Sequence, residues 1–171
     1  MSIETRMKAL LDRLDYDFSH FTMDDFIDWV QAYKGRRISF IPWDMPPGMF
    51  GVWMSDADEA VEHVFIDKNI PPLHRVHIQL HELSHIVCDH PTVRLTKDEM
   101  RSLLMQAVER PEVLGEALLR APAKQEMEQE AEMLASLIQH RVIAHQRLQQ
   151  LSIAASSHES VVDHLEALGL V

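Results

Sequence analysis

From Pro72 to Cys88 the apolar residues Leu73, Val76, Leu80, Leu83 and Val87 recur at spacings of three and four. That is the period of an α-helix with one buried face. Pro71-Pro72 opens the stretch, because proline is well tolerated in a first helical turn, and Pro91 closes it. A helix of this kind needs a partner surface, so it fixes the middle of the chain as packed structure.

The same helix carries His81-Glu82-Leu83-Ser84-His85, an HExxH pattern. Residues four apart lie one turn apart on one face, so the two imidazoles can aim at one point, as a tetrahedral zinc ion requires. Glu82 falls on a neighbouring sector. There its carboxylate serves as the general base that takes a proton from water, rather than as a ligand.

A third ligand is needed, and the residues leave it open. A metzincin would place histidine six positions after His85, but that residue is Pro91, which excludes the class. Cys88 shares the helical face. Asp89 and His90 follow where the helix ends. Glu128 lies on a later helix whose run Glu126 to Ala135 is rich in carboxylates, most of them fitted to a solvated face and to the helix N-terminus. Glu128 and Glu132 are one turn apart, and Ala131 and Ala135 are small enough to admit a close neighbour. One carboxylate can then bind the ion while the next orients a histidine from behind.

Around this helix the pattern predicts an α+β domain. Helices are expected over Ile3 to Leu14 and from a Thr22 cap to Tyr33, with Gly35 as the stop. Short strands are expected at Arg37 to Ile41, Gly51 to Met54 and Val61 to Ile66, with Ser55 to Glu59 as a turn. These three make a small, at least partly antiparallel sheet. Further helices are expected at Lys97 to Val108, Glu112 to Leu119, Ala123 to about Leu148, and Ser157 to Leu168. The 171 residues suit one domain. It divides into N-terminal helices (1–34), a zincin-like core (35–140) and C-terminal helices (141–171).

With 27 acidic and 16 basic residues, the net charge of -11 repels phosphate backbones and argues against direct nucleic-acid binding. The single cysteine, Cys88, forms no intramolecular disulfide and suits a reducing compartment. The first residues lack a signal-peptide pattern, and no apolar run has the length of a membrane span. The expectation is a cytoplasmic protein.

The two motifs together resemble the ImmA/IrrE family of metallopeptidases, which pair HExxH with a downstream E-x-E-A-N-x-F-A-type helix. Here they read His81-Glu-Leu-Ser-His85 and Glu128-Gln-Glu-Ala-Glu-Met-Leu-Ala135, within a resemblance covering roughly residues 35 to 140. Arg75 ahead of the motif adds to it. The resemblance implies one zinc per chain held by His81, His85 and Glu128, with Glu82 as the base. Glu132 stands where the family usually has Asn, and Ser136-Leu-Ile-Gln139 replaces its common Leu-Leu-Met-Pro ending.

The implied substrate is a helix-turn-helix transcriptional repressor, cleaved in stress responses. The oxyanion stabiliser has no assigned residue, and Arg75, His77, Tyr33 and His140 are the names available. The alternative is a metal-stabilised, non-catalytic module that binds a regulatory protein, favoured if Cys88 or Asp89 closes the site with a fourth ligand.

Overall fold

A computed structural model describes residues 1–118 and 125–167. The chain begins with α1 (Ile3–Arg13), whose Ser2 cap accepts the Thr5 amide at 3.2 Å. A short 3₁₀ turn at Phe18–His20 leads to α2 (Met23–Lys34). Thr22 accepts the Asp25 amide at 3.1 Å, and Gly35 ends α2 in the left-handed region at φ 63°. Both boundaries follow the expected capping chemistry.

Four strands follow in sequence: β1 (Arg37–Trp43), β2 (Gly51–Asp56), β3 (Val61–Asp67) and, after helix α3 (Pro72–Val87), β4 (Val93–Leu95). They form one mixed sheet in the order β1-β3-β2-β4. β2 and β3 are antiparallel, whereas β1 runs parallel to β3 and β4 parallel to β2. The α+β class is as expected, but the sheet has four strands rather than three. β4 is too short for alternation to register in sequence, and only its pairing with Met54–Asp56 makes it a strand. Between β2 and β3, Asp56 accepts the amides of Asp58 and Glu59, which tightens the turn.

Both faces of the sheet are covered, so its central strands read as nearly continuous apolar runs. Trp53, Val64 and Ile66 face a core shared with α1, α2, α3 and the last helix, through Leu11, Phe26, Val30, Leu80, Leu83 and Leu134. Val52, Met54 and Phe65, one residue out of phase, face a second core with Met100, Ala107, Leu114 and Ala117. Those last residues come from α4 (Lys97–Glu109) and α5 (Glu112–Leu118). The end of the predicted Glu112 to Leu119 helix, Leu119, lies outside the described residues.

The last helix, α6, is continuous from Gln125 to Ala167. The sequence expectation of two helices, ending near Leu148 and resuming at Ser157, is therefore corrected. No Gly or Pro stands between Gln125 and Ala167, so nothing interrupts the backbone ladder at the Ser156-Ser157 pair. The predicted ends at Ala123 and Leu168 lie outside the described residues. No helix among the described residues is long and apolar enough to cross a membrane. α6 packs along α3, with Ala131 and Ala135 fully buried. Leu73, assigned to the buried face of α3, is 81% exposed because the first turn of that helix overhangs the core.

Candidate metal centre

His81 and His85 project from the C-terminal half of α3, and Glu128 reaches them from the first turn of α6. His81 Nε2 lies 3.1 Å from His85 Nε2, and Glu128 Oε2 lies 3.3 Å from the first and 3.5 Å from the second. A tetrahedral zinc bound at about 2.0–2.1 Å holds its donors roughly 3.3–3.4 Å apart. The three atoms thus occupy three corners of such a tetrahedron, and two nitrogens and one carboxylate oxygen are the donor types zinc accepts. The group fits a metal ion, and it borders a cleft.

That cleft, of about 640 Å³, is bounded by Met49, Gly51, Trp53, Thr92 and Met127 together with the three donors and Glu82. His85 and Glu82 are buried, His81 is half-buried, and Glu128 is exposed at the rim. Burial pushes the Glu82 carboxyl above the ordinary range against the pull of His81 and His85, with Glu128 adding to the rise. Burial alone would lower His81, but the Glu128 hydrogen bond and the nearby charges of Glu82, Glu128 and Glu132 outweigh it and raise the imidazole. Glu128 is held well below the usual carboxylate range, first by its hydrogen bond from His81 and further by the His85 ring 3.5 Å away.

Glu132 lies on the far side of the His81 ring from Glu128. Its Oε2 is 3.4 Å from His81 Nδ1 and 3.1 Å from His77 Nε2. A carboxylate there can accept from both rings at once. His77 also meets Gln139 Oε1 at 3.3 Å through Nδ1. It therefore braces Glu132 and is not among the three grouped donors.

The other candidate ligands point elsewhere. Cys88 lies against Met7, with 3.9 Å between the sulfurs, and burial pushes its thiol up to about 12. Asp89 is exposed and paired with Lys34 at 2.7 Å. His90 is buried and also borders the cleft, but its Nδ1 meets His85 Nδ1 at 2.8 Å and its Nε2 meets Glu130 at 3.0 Å. Of the oxyanion names, Tyr33 is stacked on Trp29, His140 is exposed, and Arg75 donates to the Lys68 carbonyl at 3.2 Å. None of these three lines the cleft.

Sequence reasoning missed Gly51. A β-carbon there would come within 2.6 Å of both Glu82 Oε1 and Ile78 Cγ2, so the β2 backbone presses directly on the Glu82 carboxylate. If Glu82 acts as a base, Gly51→Ala is expected to displace its carboxylate and cut turnover on the order of 100-fold while zinc content stays unchanged. Parallel metal analysis and rate measurement check this. Reasoning from sequence also missed Trp53, whose indole lies 6.2 Å from the His85 ring and donates to Glu62 at 2.7 Å.

Compared with protein-family models, with curated proteins and with solved structures, the chain matches none.

Proposed function

We propose that this chain is a zinc-dependent metallopeptidase of the ImmA/IrrE type that hydrolyses a bond in a protein substrate, a helix-turn-helix repressor. The observation that carries this reading is the tetrahedral spacing of His81, His85 and Glu128 with the buried carboxylate of Glu82 beside it. Cys88 and Asp89, either of which would close the site, are turned away, which favours an enzyme over a metal-stapled binding module.

Zinc, when bound, supplies a Lewis acid that polarises a carbonyl and acidifies water. Glu82 accepts the proton of the attacking water and returns it to the leaving amine. Its raised proton affinity favours taking up that proton. Glu128 and the two imidazoles hold the ion, and Glu132 steadies His81.

The lip of the cleft supports an extended peptide as substrate. The Asp67 amide donates to the Phe50 carbonyl at 2.9 Å, so the antiparallel register turns the backbone groups of Phe50, Val52 and Met54 toward β3. Those of Gly51 and Trp53 turn the other way, where β4 pairs only with Met54–Asp56. The Trp53 carbonyl takes the Thr92 hydroxyl at 2.6 Å. Gly51 and the Trp53 amide thus border the cleft without a strand neighbour among the described residues, a short edge on which a peptide can add.

The experiment is incubation of the zinc-loaded chain with a helix-turn-helix repressor encoded beside it. Cleavage into two fragments, abolished by a chelator and restored by zinc, is expected. An intact repressor under zinc-replete conditions, bound but uncut, would favour the binding module.

A further inference from the structure

The C-terminal end of α3 has a feature that the metal centre does not use directly. Asp89 adopts φ 56°, its amide donates to the Ile86 carbonyl at 3.2 Å, and the His90 amide donates to the His85 carbonyl at 3.1 Å. This bond pattern is a Schellman helix end, in which the residue two past the cap folds back onto the last turn. An apolar pair commonly fills that contact. Here it is a pair of imidazoles, His85 and His90, with ring centroids 4.9 Å apart.

The contacts of that pair form a chain leading away from the metal site. His85 Nδ1 is 2.8 Å from His90 Nδ1, and His90 Nε2 is 3.0 Å from Glu130 Oε2. Glu130, on α6, is in turn ion-paired with Arg6 of α1. Lys34 of α2 secures the bend by binding both Asp89 and the Val87 carbonyl.

The direction of the hydrogen bonds follows from what each group can do. A carboxylate only accepts, so His90 Nε2 carries the proton it gives to Glu130. In the neutral ring His90 Nδ1 is then the acceptor, and the donor across the 2.8 Å contact is His85 Nδ1. That leaves His85 Nε2 as a bare lone pair, and it is the atom facing His81 and Glu128.

The geometry points to His90 as a positioning residue. Anchored by Glu130 and Arg6, it fixes the tautomer and ring orientation of His85 so that Nε2 is presented to the ion. This inference rests on the metal-centre reading. It also gives Asp89 a purpose, since the left-handed turn is what brings His90 beneath His85.

Two substitutions and one spectrum test it. His90→Phe keeps the packing but removes the acceptor. His90→Asn restores an acceptor oxygen near the Nδ1 position. Zinc affinity, measured on metal-free protein by competition with a chromogenic chelator, is expected to fall roughly 10–100-fold in His90→Phe. It should return most of the way in His90→Asn, while the melting temperatures of the metal-free forms stay close. Long-range proton–nitrogen correlation spectra of metal-free wild-type protein should show His85 protonated at Nδ1.

An unchanged affinity in His90→Phe, no recovery in His90→Asn, or an Nε2-protonated His85 in the wild type would each overturn the assignment. If wild-type protein takes up no zinc, the metal reading fails separately. The tautomer of His85, and its shift in whichever variant folds, still decides whether His90 sets it.

Discussion

Glu82→Gln is expected to lose peptide-bond hydrolysis by a factor of roughly 10²–10⁴, the contribution typical of a general base, while zinc uptake is retained. The amide matches the carboxylate in size and fills the same buried space against Gly51. It cannot take a proton from water. Glu82 is also not one of the three grouped donors, so its replacement leaves His81, His85 and Glu128 in place. Hydrolysis of the proposed substrate, followed beside metal content, separates the two effects. Wild-type activity in the variant would remove Glu82 from the base role. Lost zinc would mean that it is a ligand.

The second large effect is on metal affinity. Glu128→Gln is expected to weaken zinc binding by at least an order of magnitude, since a neutral amide replaces the one anionic donor of the group. The same carboxylate makes binding pH-dependent. In the metal-free protein Glu128 is depressed from 4.5 and His81 is raised from 6.5. The Glu128 contribution to stability is present above the unfolded carboxyl value and is lost as pH falls through its depressed one. That of His81 is present below 6.5 and is lost as pH rises through its raised value. The pair thus stabilises the metal-free fold most between 4.5 and 6.5. Zinc needs a neutral His81, so its affinity is expected to climb as pH rises past that window. A chelator competition series across pH checks the sign, and a flat profile in wild-type protein would contradict it.

How far the site could be read in advance depended on whether its parts share one helix. His81, Glu82 and His85 are fixed relative to one another by the helical repeat alone, so their geometry was legible before any fold was known. Glu128 was not, because only tertiary packing brings α6 against α3. Its carboxylate looked like several neighbours in the same acidic run, and resemblance to a family singled it out. The buried Ala131 and Ala135 were the local hint that this helix comes close.

His90 is a candidate ligand by its place in the sequence, whereas the structure sets it against the His85 ring as a neighbour. Sequence spacing cannot distinguish the two, because the distinction lies in a left-handed Asp89. Gly51 was legible only as a strand residue, since its contact with Glu82 crosses from sheet to helix. β4 and the unbroken run of α6 were missed for opposite reasons. The first is a strand made by its partner rather than by its own pattern. The second is a helix whose apparent serine break carries no residue able to interrupt it.

The most direct test of the metal centre is the zinc content of purified protein, measured by elemental analysis after zinc supplementation and removal of unbound ion. One zinc per chain in the wild type, with most of it lost in His85→Ala, is the predicted result. No stoichiometric zinc in the wild type, or equal content in the two proteins, would contradict it.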